Sequence, residues 1–109
     1  MRTIEMTNGV VKMIDQRKLP HQFEIVECRD YRAVAHAIKD MTIRGAPAIG
    51  AAAAFGLALA ALESRATFRD ELLRDLGDAA RTLGATRPTA VNLKWAIDRV
   101  LNGARANQL

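Results

Sequence analysis

The sequence predicts an α+β fold: a small antiparallel sheet over residues 1–29, followed by a bundle of about four helices over residues 30–103. Three observations carry this expectation. Apolar residues alternate near the start, then recur at helical spacing beyond Asp30. Asn8-Gly9 separates two strand-like segments, where a tight hairpin needs positive backbone angles. A stretch without charge, Gly45 to Leu62, lies in the middle of the helical part. With 109 residues, half of them hydrophobic and 26% charged, the chain has the size and composition of one globular domain.

Taken in order, "TIEM" and "VVKMI" flank the Asn8-Gly9 turn and make a hairpin. The polar connection "DQRKLPH" follows, with Pro20 blocking helix growth, and "FEIVEC" alternates as a third strand. Asp30 is placed to cap "YRAVAHAIKDM", whose Val34, Ile38 and Met41 share a face while His36 lies on the polar side. The Ala-rich run is apolar all round and reads as the buried centre of a helical cluster. Thr67 and Asp70 form a variant capping box ahead of Phe68, Leu72, Leu76, Ala80 and Leu83, with Gly84 as the stop. Pro88 fits the first turn of a last helix, where Leu93, Ala96, Ile97 and Val100 face inward and Gly103 ends the pattern.

Composition narrows the function. The net charge of +4 comes from basic residues interspersed with acids, as in "FRDELLRD", which argues against a nucleic-acid partner while tolerating an anionic ligand. The single cysteine, Cys28, precludes an internal disulfide and fits a reducing, cytoplasmic compartment; on an alternating strand it reads as a small buried hydrophobe. No metal-ligand spacing is present, and no cofactor is implied. The start, "MRTIEMTNGV", has no apolar signal core, and the Ala-rich run is too weakly hydrophobic for a convincing membrane span.

Two segments carry candidate chemistry. In "RGAPAIG", Arg44, Gly45 and Ala46 stand at the front of a helix with Pro47 in its first turn. First-turn amides lack intrahelical partners and lie at the positive end of the helix dipole. Gly45 permits close approach to the backbone, and Arg44 adds a forked donor, so the segment suits a phosphate. "TRPTAVNL" repeats the arrangement: Arg87 precedes Pro88, and Thr86 and Thr89 supply hydroxyls. The two arginines either converge on one small anion, or Arg87 merely caps the preceding helix or pairs with Asp98. Neither segment offers an acid, a base or a nucleophile.

"IDQRKLPHQFEIVEC", "AIKDMTIRGAPAIGAAAAFGLALA" and "TRPTAVNLKWAIDRV" together resemble, in order and spacing, the N-terminal region of the methylthioribose-1-phosphate isomerase family. These are the aldose–ketose isomerases of methionine salvage. Ribose-1,5-bisphosphate isomerase and the regulatory subunits of initiation factor 2B share the superfamily; "DQRKLP" and "TRPTAVNL" favour the methylthioribose enzymes. The resemblance implies that Arg44, Gly45, Ala46 and Arg87 bind a small-molecule sugar phosphate, with no nucleic acid or membrane involved, in a cytoplasmic enzyme that is a homodimer when complete. It also implies that the catalytic cysteine and aspartate belong to a following Rossmann-like domain that these 109 residues do not contain. No catalytic residue is therefore assigned here. Cys28 lies outside any matching motif, and the chain is expected to be an inactive fragment.

Overall fold

Asn8 (φ 53°) and Gly9 (φ 76°) both take positive backbone angles, and the chain reverses between β1 (Ile4–Thr7) and β2 (Val10–Ile14). The computed structural model describes residues 3–87 and 90–106. β3 (Ile25–Cys28) completes an antiparallel sheet of order β1-β2-β3. Its register puts Ile4 opposite Met13, Met6 opposite Val11 and Val11 opposite Cys28, so one face is apolar. The other face carries Glu5, Lys12 and Glu27 in a row, a cross-strand alternation of charge.

Four helices follow: α1 (Tyr31–Lys39), α2 (Ala46–Glu63), α3 (Arg69–Ala85) and α4 (Val91–Ala106). α2 packs against all three others and against the inner side of β1 and β2. Its small residues permit this. A Cβ on Gly56 would meet both δ-methyls of Leu83 at 3.2 Å and Val34 Cγ1 at 3.3 Å, so α1 and α3 close on the helix at that level. By length and composition α2 also satisfies the requirement for a membrane span, but here it is the core helix of a bundle.

The α+β arrangement and its order agree with the sequence, while several local expectations change. β3 begins at Ile25, leaving Phe23 exposed. The polar connection contains a short 3-10 turn, Gln16–Lys18, in which the side chain of a buried Asp15 accepts the Arg17 amide. Met41 does not continue the buried face of α1: the helix ends at Lys39, and Met41 has φ 68° and is 42% exposed. Thr67 and Asp70 form no capping box; α3 begins after Phe68, which makes no side-chain cap and is 70% exposed. Gly84 and Gly103 do not end their helices, since the helix penalty of one glycine is modest. α2 is not buried on every side: seven of its 18 residues are, and one flank stays open beside α4. Pro88 and Thr89 lie outside the described residues.

Candidate functional site

The approach to α2 is fixed from behind. Ile43 is fully buried and donates its amide to the Ala37 carbonyl, at 3.4 Å, so the chain leaves the core just before Arg44. Gly45 is the N-cap with φ 93° and ψ 138°, a conformation that a residue with a Cβ rarely adopts. Its carbonyl accepts the first helical bond, from the Ile49 amide at 2.9 Å. No side chain caps the amides that follow, and the first turn carries no acid. Arg44, Gly45, Ala46 and Pro47 are all exposed. The start of α2 therefore presents amide donors and a positive dipole end to solvent, with a guanidinium beside them.

The start of α4 faces the same space. The Ala90 amide donates to the Arg87 carbonyl at 3.0 Å, and α4 begins one residue later. A cleft of about 510 Å³ lies between the two helix starts, lined by Arg44, Gly45 and Ala46 on one side and Arg87, Val91 and Asn92 on the other. All four residues singled out from the sequence line this one cleft. The blander roles for Arg87 are taken by other groups or not filled. Thr86 donates its hydroxyl to the Leu83 carbonyl, at 2.6 Å, and so serves the end of α3 itself. Among the described residues, no ion pair joins Arg87 to Asp98.

Sequence reasoning missed the other lining groups. Met41, Ile49, Val91 and Leu93 give the cleft an apolar part, and Asn92 adds a neutral hydrogen-bonding side chain in the first turn of α4. The spacing alone puts Met41 on a core face; α1 ends before it, and its backbone takes a positive φ. Asn92 had a legible signal, being a polar residue just inside the helix start that follows Arg87.

Other candidates are placed elsewhere. Cys28 is buried, and burial, reinforced by the nearby Asp30 and Asp40 carboxylates, pushes its thiol up to about 11, so it stays protonated at neutral pH. It does not line the cleft, and neither does any carboxylate among the described residues. His36 is exposed, with Nε2 3.3 Å from Asp40 Oδ2. No group of three or more His, Cys, Asp and Glu side chains among the described residues is arranged to hold a metal ion.

A sequence profile of the initiation factor 2 subunit family matches residues 42–109, which include both arginine-headed helix starts. The chain belongs to this family. Within it, relatives named methylthioribose-1-phosphate isomerase are 53% identical over 106 residues in Chloroflexus aurantiacus and 51% identical over 100 residues in Caldanaerobacter subterraneus. These alignments cover 97% and 92% of this chain but only 30% and 29% of the relatives, so the chain spans under a third of their length. The crystal structure of 5-methylthioribose 1-phosphate isomerase from Pyrococcus horikoshii superimposes with a TM-score of 0.90 at 50% identity, covering 95% of this chain and 29% of that one. The delta subunit of translation initiation factor 2B from A. fulgidus superimposes with a TM-score of 0.91 at 48% identity, covering 99% of this chain and 32% of that one.

Proposed function

We propose that these 109 residues form the N-terminal substrate-anchoring part of an aldose–ketose isomerase that converts 5-methylthioribose 1-phosphate to 5-methylthioribulose 1-phosphate in methionine salvage. The observation that carries the reading is the convergence of Arg44, Gly45, Ala46 and Arg87 on one cleft between two helix starts. The names of the curated relatives supply the substrate class. In this reading the phosphate lies against the open first turn of α2, with Arg44 and Arg87 neutralising its charge. The apolar wall of Met41, Ile49 and Val91 keeps water from part of the ligand.

The role of this part is to hold the substrate still while a proton or hydride moves between adjacent sugar carbons. Contacts made equally in ground and transition states lower KM more than they raise kcat. The cleft has no thiol or carboxylate among its described lining residues, so acid–base chemistry must come from outside it. The chain alone is expected to bind the sugar phosphate and leave it unconverted, and the complete enzyme is expected to be a cytoplasmic homodimer with no nucleic-acid or membrane partner.

The test is titration of 5-methylthioribose 1-phosphate into the chain, followed by amide NMR, together with a ketose assay. Shifts at Gly45 and Ala46 without turnover support the reading. Shifts confined to other regions, or ketose formation by the chain alone, refute it. The match to the A. fulgidus subunit, as near in structure as the isomerase, favours a second reading as a non-catalytic regulatory domain. That reading predicts no response of Gly45 and Ala46 to the sugar phosphate.

A further inference from the structure

The "DQR" segment has no part in the cleft, yet its arginine is the best-partnered cation among the described residues. Arg17 donates from Nε to Asp15 Oδ1 at 3.0 Å and from Nη2 to Asp15 Oδ2 at 2.8 Å. Its remaining arm, Nη1, reaches Asp40 Oδ2 at 3.3 Å, across 23 residues of chain. Asp15 is 1% exposed and also accepts the Arg17 amide, so the guanidinium plane is fixed before it meets Asp40. These hydrogen bonds from Arg17 hold the Asp15 carboxyl below the usual range despite its burial.

Asp40 passes the constraint on. Its other oxygen, Oδ1, accepts the Thr42 amide at 2.9 Å and the Thr42 hydroxyl at 2.6 Å. The Thr42 carbonyl in turn accepts the Gln16 amide at 2.7 Å. Thr42 is thus held on both sides of its backbone, its amide by Asp40 and its carbonyl by the connection that carries Arg17. Between Asp40 and Thr42 lies Met41, held at φ 68°, a conformation that persists in a residue with a side chain only when its surroundings impose it. Arg44 stands two residues beyond Thr42. The direction in which the chain enters the cleft is set by this turn.

We propose that Arg17 is a positioning residue for the cleft: by bridging Asp15 and Asp40 it holds the Met41–Thr42 turn in the one geometry that aims Arg44 and the Gly45 and Ala46 amides at a bound phosphate. The inference rests on the anion cleft proposed above. Arg17 is not among the residues that line the cleft, and both its ion-pair partners are carboxylates of the protein itself. A lysine at this position would supply charge without the fork that reaches two carboxylates together.

The experiment is titration of inorganic phosphate into the 109-residue chain, with the dissociation constant read from native-state amide resonances of Gly45 and Ala46. Because folded molecules alone give those resonances, a loss of folded fraction does not imitate a loss of affinity. Arg17→Gln is expected to weaken phosphate by about threefold to tenfold, in the lower part of the range for residues coupled through one network. Asp40→Asn keeps an oxygen for Thr42 while removing the charge that Arg17 meets, and it should weaken phosphate similarly. The double variant should be no weaker than the weaker single one, and Arg17→Lys should stay near Arg17→Gln. Arg44→Ala separates this inference from the one it rests on. If Arg44→Ala binds phosphate like the unaltered chain, the cleft itself is not the site. If Arg44→Ala is impaired while Arg17→Gln is not, or if the Arg17 and Asp40 losses add, or if Arg17→Lys is unimpaired, the positioning role is overturned.

Discussion

The starts of α1 and α2 lie in the same small domain and are finished in opposite ways. At α1, the Asp30 carboxylate accepts the Ala33 amide at 2.8 Å, and Glu63, arriving from the far end of α2, accepts the Tyr31 amide at 3.3 Å. Two of the orphan donors are satisfied by the protein's own acids. At α2 the cap is Gly45, no side chain replaces the missing acceptors, and the adjacent charge is positive. A helix start supplied with its own carboxylates is a structural joint, whereas one left open beside an arginine has room for a foreign anion. The "RGA" segment is exposed although it leads into the helix that packs against all three others.

The largest expected effect tests the open end directly. If the chain is part of the proposed isomerase, Arg44→Ala in that enzyme should weaken sugar-phosphate affinity by about 1.5–3 kcal/mol, seen as a raised KM, and Arg44→Lys should recover only part of this. Unchanged KM and kcat in both variants would make the two helix starts functionally alike. Next, Gly45→Ala should destabilise the chain by about 2 kcal/mol in urea denaturation. Among the described residues, no atom beyond its chain neighbours lies within 4 Å of where its Cβ would go, so the penalty comes from φ 93°. A cost near zero would mean that the open start tolerates ordinary backbone and needs no glycine.

The closed end makes a prediction through Cys28, whose thiol is raised by burial and then by Asp30. Folding favours the protonated thiol, so the unfolded chain loses its proton first. Stability should therefore fall as pH rises from near 9.0 toward about 11. By pH 10 the loss should be about 1 kcal/mol, and Cys28→Ala should remove that contribution. A flat profile in the unaltered chain between those pH values would contradict a deeply shielded thiol. The smallest effect is the mirror of the first: Asp30→Ala should cost about 1 kcal/mol of stability, by loss of the α1 cap, and leave phosphate affinity unchanged. A changed affinity there would show that the two helix starts are coupled.

The local elements that were legible share a cause: their signals act over a few residues. Asn8-Gly9 specifies a tight turn, Asp30 caps the amide three residues on, and Val34, Ile38, Leu76, Leu83, Leu93 and Ile97 mark inward faces by spacing alone. Where the signals failed, a helix boundary or a turn fell elsewhere than the spacing suggests. Phe68 belongs to a helical pattern yet lies outside, because α3 begins one residue later than a Thr67 cap would place it. Met41 has helical spacing yet turns away from the core, because Asp40 and Gln16 hold Thr42 in place just beyond it.

By itself the sequence determined the order of three strands and four helices, the apolar nature of α2, and the presence of two arginine-headed helix starts, since composition and periodicity bear on all of these without reference to distant residues. That Arg44 and Arg87, 43 positions apart in number, border one cleft was decided by tertiary structure alone, through the packing of α4 along α2. The same is true of Arg17, whose meaning as a bridge depends on Asp15 and Asp40 being brought to opposite sides of one guanidinium. Periodicity says which face of an element is apolar, but the neighbour that covers it, and the end left uncovered, are set by how the elements pack.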